Sequence, residues 1–244
     1  MQGGNVTIAL KLSDPIVPQV IHRLRQAIIE MQLRPGQALS ENDIARQYGV
    51  SRQPVREAFI KLREVGLLQI LPSRGTYVVK ISVREVLNAR FVREAVECAI
   101  VRSAAGLIDD AGCARLNHLI MDQKRAADVG DYRHFYGLDE AFHREISTIV
   151  ECDLAARVVE SARAQTDRVR FLSLPHATPL ATLIAQHQSI VDALVARDPV
   201  AAESAMRVHL SEILSALPEL ARQHPEIFED ISPPAHAKAL ALSE

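Results

Sequence analysis

Residues 40–79 read SENDIARQYGVSRQPVREAFIKLREVGLLQILPSRGTYVV, and the punctuation of this stretch leaves few folds open. Ser40, with Asp43 three residues on, predicts a helix start, and Gly49 its end. Ser51 opens the next helix, whose Pro54 falls in the first turn, where an N–H would go unpaired anyway. Val55, Phe59, Leu62 and Val65 give that helix an inward stripe before Gly66. Residues 68–71 and 76–80 then predict a hairpin around Pro72-Ser73-Arg74-Gly75. Upstream, Val20, Ile21, Leu24, Ile28 and Met31 recur at helical spacing. Two short helices across a tight turn, followed by a hairpin, make a winged helix-turn-helix.

In such a motif the second helix presents its first residues to base edges in the major groove. Here those residues are Ser51, Arg52, Gln53 and Arg56, with the two arginines four apart on one helical face. An arginine fork can make two hydrogen bonds to one guanine, worth about 1–3 kcal/mol of discrimination. The Ser51 hydroxyl and the free N–H groups of a helix start suit a phosphate oxygen. Arg74 and Gly75 stand at the wing tip, where glycine permits close approach and arginine meets the negative minor groove. Lys61 and Arg63 read as phosphate or solvent contacts. Any one of these arginines, taken alone, is an ordinary solvated cation; the ordered set is what points to DNA. Charge agrees: residues 1–81 carry 11 Lys and Arg against 6 Asp and Glu, while the remainder carries 17 against 24.

From Ser82 the texture changes to long amphipathic segments, and no further strand is expected. Helices are predicted over 83–105, 110–128, 132–150, 154–174, 179–197 and 199–222. Asp131, Asp153, Thr178 and Asp198 are placed as N-caps, and Pro179 and Pro199 as first helical residues. The expected fold is mainly α: an N-terminal winged helix-turn-helix over 1–81, then an antiparallel bundle of about six helices over 82–222. Residues 1–12 are expected to form a loose arm, and 223–244, with Pro233-Pro234, a disordered tail. Cys98, Cys113 and Cys152 are scattered without CxxC spacing, which fits a reducing cytoplasm better than a disulfide framework. The first residues lack the pattern of a secretory signal. No run approaches the roughly 20 apolar residues of a membrane span.

The helical part holds a second constellation. Asp139 and His143 are four apart and face the same way on one helix. His187 and His209 each lie eleven residues from Asp198, so an antiparallel hairpin bent there puts both at one height. Three imidazoles and a carboxylate suit a divalent ion: zinc first, with nickel, manganese or iron as alternatives. Ordinary polar residues of a bundle are the competing explanation, and it is the one given to the other six histidines.

The string PGQALSENDIARQYGVSRQPVREAFIKLREVGLL resembles the DNA-binding domain of the GntR family of bacterial repressors, over about residues 16–80. The segments LSENDIA, GVSRQPVREA and RGTYV carry that resemblance. It implies that Arg52, Arg56 and Gly75 contact an inverted-repeat operator, and that the chain works as a homodimer. Asn42 stands where some members have an arginine reader. Residues 82–222 resemble the all-helical FCD ligand-binding domain of the FadR-type subfamily. Its pattern D-x-x-F-H, then E/Q-H-x-x-I-x-x-A-L, then H-L is filled here by Asp139, His143, His187 and His209. The resemblance implies a metal site to which a small carboxylate effector adds, with Arg93 lining the pocket. A surface pair between Arg93 and Glu97 is the alternative for that arginine; Arg90, Arg102, Arg163 and Arg170 are further candidates.

The expectation is a metabolite-responsive, DNA-binding regulator, most simply a repressor, with an organic or sugar acid as effector. Two alternatives stay open: a regulator whose metal is purely structural, and a mononuclear metalloenzyme, which leaves the DNA reader without a purpose. The residues do not choose the effector, the native metal or the operator.

Overall fold

The computed structural model describes residues 13–174 and 179–240. The chain divides into two compact units, Met1–Lys80 and Ile81–Glu244. The expected arm over 1–12 and the expected cap Thr178 lie outside the described residues.

In the first unit, α1 (Ile16–Ile29) packs against α3 (Arg52–Glu64), with α2 (Glu41–Tyr48) between them in sequence. Val20, Leu24 and Ile28 of α1 and Val55, Phe59 and Leu62 of α3 are buried to within 1% and form the core. Each such side chain contributes about 1.5–3 kcal/mol on leaving water. The Ser40 hydroxyl accepts from Asp43 N–H at 3.3 Å, as its spacing predicts. Gly49 ends α2 in the left-handed conformation, φ +66°, with its N–H returned to Ala45 and Arg46 carbonyls. Strands β1 (Ala38–Leu39), β2 (Leu68–Leu71) and β3 (Gly75–Val78) form an antiparallel sheet in the order β1-β3-β2. Ile70 pairs with Thr76 and Leu71 with Gly75, so the wing is a tight hairpin; β3 ends two residues before the expected Lys80.

The second unit is helical: α4 (Val83–Leu107), α5 (Asp110–Asp128), α6 (Tyr132–Val150), α7 (Asp153–Ser173), α8 (Leu180–Val195) and α9 (Pro199–Gln223). The turns after α4, α5, α6 and α8 are short. Gly130, Glu151 and Arg197 take positive φ at the ends of α5, α6 and α8. Asp109, Asp131 and Asp198 each accept hydrogen bonds from the first turn of the following helix. Two expected caps shift by one place. Cys152, not Asp153, is the N-cap of α7, and Pro179 occupies the N-cap of α8 rather than its first helical position. Helix α4 packs against α6, α7, α8 and α9 and is the axis of the unit.

The segment expected as a disordered tail over 223–244 is, through residue 240, part of the packed unit. Strand β5 (Phe228–Glu229) pairs in parallel with β4 (Ile81–Ser82), and α10 (Ala235–Leu240) follows. Ile81 N–H donates to Ile227 O at 2.9 Å, and Arg84 pairs with Asp230 at 3.1 Å. The anchor is Phe228, 4% exposed, which a polar, proline-containing segment conceals when read for average composition.

Candidate DNA-reading surface and candidate metal centre

The first residues of α3 are exposed and stand apart from the core stripe. Ser51 occupies the N-cap, but its hydroxyl makes no capping hydrogen bond, so hydroxyl and helix-start N–H groups remain open to an acceptor. Arg52 and Arg56, on one face as their spacing requires, converge on Glu41, the first residue of α2. Arg52 Nη2 donates to Glu41 Oε2 at 2.9 Å; Arg56 Nε and Nη2 donate to Oε1 and Oε2, both at 3.1 Å. Hydrogen bonds from these arginines hold the Glu41 carboxyl below its ordinary range against the cost of partial burial. Gln53 turns instead to Glu57, at 2.9 Å. At the wing, Arg74 is exposed, and its carbonyl accepts from the Tyr77 hydroxyl at 2.8 Å. Gly75 has φ +106°, a conformation side chains disfavour, which accounts for glycine there. Sequence reasoning missed Glu41, which lies eleven residues before Arg52 on a different helix.

In the second unit, α6 supplies Asp139 and His143, α8 His187 and α9 His209. All four are buried, and one ligand atom from each lies within 4.8 Å of the others. Each imidazole is held from outside. His187 Nδ1 lies 2.8 Å from Gln123 Oε1, and the amide is oriented by its Nε2 donating to Leu138 O. His209 Nδ1 lies 3.2 Å from Gln186 Oε1, whose amide nitrogen donates to Glu212. His143 Nδ1 faces the Glu97 carboxylate, 2.6 Å from Oε2. The amide oxygens assign the protons of His187 and His209 to Nδ1, and the same tautomer at His143 leaves three Nε2 lone pairs facing inward.

The inward atoms then have no donor among themselves. His143 Nε2 and His209 Nε2 are 3.1 Å apart, and His187 Nε2 is 3.4 Å from Asp139 Oδ1. Asp139 Oδ1 and His187 Nε2 are buried without a hydrogen-bond partner. Burial pushes the pKa of His187 down to about 4 and lowers those of His143 and His209, the last strongly, so all three favour the neutral, ligating form. Burial opposes ionisation of Asp139, but Arg170 overcomes it and holds the carboxyl well below its usual range. Three lone pairs and a carboxylate facing one point, with no proton to share, fit a divalent cation and little else.

A cationic wall adjoins this point. Arg163 Nη2 is 3.3 Å from Asp139 Oδ2. Arg93 Nε donates to Glu97 Oε1 at 2.6 Å and its Nη1 to Thr166 Oγ1 at 3.1 Å. The Arg93–Glu97 pair, open in the sequence as a surface pair, is 5% and 4% exposed. Arg93 Nη2 and Arg163 Nη1 are buried with no hydrogen-bond partner. Arg90 and Arg170 are also buried, whereas Arg102 is exposed and pairs with Glu203. Gln123 and Gln186 were not foreseen, and Glu97 was foreseen only as a partner of Arg93, one helical turn away. Gln186 had a signal too, since it fills the E/Q position before His187 in the pattern quoted above.

A winged helix-turn-helix with an exposed pair of arginines, carried on the same chain as a helical unit with a closed polar site, defines a regulator of transcription. Comparison with known proteins agrees. Residues 17–78 match the bacterial regulatory proteins of the gntR family, and residues 89–212 match the FCD domain. The HTH-type transcriptional repressor RspR of Escherichia coli K12 is 40% identical over 225 residues, covering 92% of this chain and 99% of that protein. A probable D-xylose utilization operon transcriptional repressor of Paenarthrobacter nicotinovorans is 30% identical, over 86% of this chain and 88% of its own length. The solved structure of E. coli McbR/YncC shares the fold, with a TM-score of 0.75 at 21% identity, over 86% of this chain and 99% of that one.

The chain belongs to the GntR family and carries an FCD domain; it is a DNA-binding transcriptional regulator, not an enzyme. No helix among the described residues is long and apolar enough to cross a membrane.

Proposed function

We propose that this regulator is a metabolite-responsive repressor that binds an inverted-repeat operator as a homodimer and is switched by a small carboxylate. Ser51, Arg52, Gln53 and Arg56 read the major groove, and Arg74 with Gly75 enters the minor groove. Asp139, His143, His187 and His209 hold a divalent ion, zinc or, where more coordination positions are used, nickel, manganese or iron. Such an ion offers positive charge and open positions to a carboxylate. Arg93, with Arg163 beside it, supplies the remaining donors.

The observation that carries this reading is the coincidence of two unmet needs in one buried place. Asp139 Oδ1 and His187 Nε2 lack a partner where the quartet converges, and one nitrogen on each of two neighbouring guanidinium groups, Arg93 Nη2 and Arg163 Nη1, lacks an acceptor. A cation with an organic or sugar acid answers both. Support for repression comes from the relatives, two of which are named repressors. The quartet is at most 4% exposed, so an acid reaching it must part the surrounding helices. That gives ligand binding a structural consequence: helices α6 to α9 cannot keep one arrangement in both states.

Titrating operator DNA with metal-loaded protein in the presence of small organic and sugar acids tests the reading. A 5–150-fold change in operator affinity with one of them is expected for a coupling of about 1–3 kcal/mol. The same closed burial also suits an ion that is purely structural. In that case chelation unfolds the second unit, and no acid alters operator binding.

A further inference from the structure

The geometry points to Glu41 as the residue that aims both reader arginines and thereby sets sequence preference. This rests on the assignment of Arg52 and Arg56 as the base readers. Glu41 begins α2, and its carboxylate receives three N–H donors from α3. The two arginine side chains are 57% and 53% exposed, whereas Glu41 is 24% exposed. The acid is therefore the seated partner, and the cations reach out over it.

The donors that Glu41 takes are as informative as the bonds themselves. Arg56 gives its side-on edge, Nε and Nη2. A guanidinium carries five N–H groups, so the end-on fork of Nη1 and the second Nη2 hydrogen is left whole. That fork is the pair that can meet guanine O6 and N7 together. Arg52 gives one hydrogen from Nη2 and keeps the rest. Glu41 can thus hold both side chains while they read, without being displaced. An exposed ion pair adds little to stability, so folding does not explain three converging bonds. An arginine held in its reading pose loses less freedom when it meets a base. A carboxylate beside the readers also repels phosphates, which penalises every duplex equally. The positioning widens the gap between the chosen sequence and all others, while the repulsion lowers the affinity for all alike.

The test uses full-length, metal-loaded protein and two duplexes: a palindrome selected by the wild type from a random pool, and a scrambled control. Glu41→Gln leaves one acceptor oxygen where three donors converge. It is expected to bind the control more tightly, with a log–log salt slope steeper by about 0.9 for each extra phosphate engaged. Its preference for the selected duplex should fall about tenfold. Glu41→Asp keeps the charge but shortens the reach by one methylene. It should lose preference while leaving control binding near wild type. Both variants must melt with the wild type, and a Glu41→Ala variant replaces either that does not. If the aspartate and glutamine variants keep wild-type preference while Arg52→Ala and Arg56→Ala lose it, the role of Glu41 is refuted and the reader assignment stands. If the arginine variants keep it too, the reader assignment itself is wrong.

Discussion

Glu97 hydrogen-bonds Arg93 with one oxygen and stands 2.6 Å from His143 Nδ1 with the other, so one carboxylate touches both halves of the proposed effector site. Burial works against its charge, but Arg93 and His143 together keep the carboxyl well below its usual range. A ligand histidine oriented by a carboxylate is more basic and fixed in one tautomer. Glu97→Gln should therefore weaken divalent metal binding by about 10–100-fold, measured by competition with a chelator of known affinity. Far-ultraviolet circular dichroism should stay unchanged. Metal affinity equal to wild type would mean that His143 is not a ligand. The quartet itself was legible in the sequence. Asp139 and His143 share a helical face, and His187 and His209 are equidistant from Asp198, which are relations of spacing. Gln123 and Glu97 were not legible as its outer partners, because they lie on two further helices and no spacing links them to the quartet.

Among the elements, α4 shows why its role stayed hidden. Its buried set includes Arg90, Arg93 and Glu97 beside Val86, Ile100 and Val101, so polar and apolar residues share the inner faces and the usual two-sided pattern is blurred. Helix ends were legible where side chains mark them. Asp198 accepts from both Val200 and Ala201 N–H at 3.0 Å, with Pro199 at the first helical position. Asp198→Ala should cost about 1 kcal/mol in urea unfolding, and no loss would show that α9 does not depend on this cap. The strand β5 was not legible, since two residues of sheet in a polar stretch give no periodic signal. Its packing makes a sharp expectation. Phe228→Ala should destabilise the second unit by about 1.5–3 kcal/mol, read from the same unfolding curves. An unchanged midpoint would mean that the segment after α9 makes no packed contribution.

At the scale of the whole molecule, the chain joins a DNA reader to a helical unit whose charged interior is closed to water. The two-part build was visible from the break in texture near Ser82 and from the basic first third. What sequence could not supply was the state of the sites: that Arg52 and Arg56, the proposed readers, both rest on Glu41, and that the quartet is shut. A shut, ion-shaped site makes a claim about control. Occupancy by ion and acid together should alter how the regulator holds DNA, while neither alone should do so to the same extent. The most direct measurement is fluorescence anisotropy of a selected operator duplex with metal-loaded wild type, chelated wild type and His187→Ala, across a panel of small organic and sugar acids. The expected result is a 5–150-fold change in affinity with at least one acid for the loaded wild type, lost in the other two preparations. An identical response in all three, or no response to any acid that binds, would contradict it.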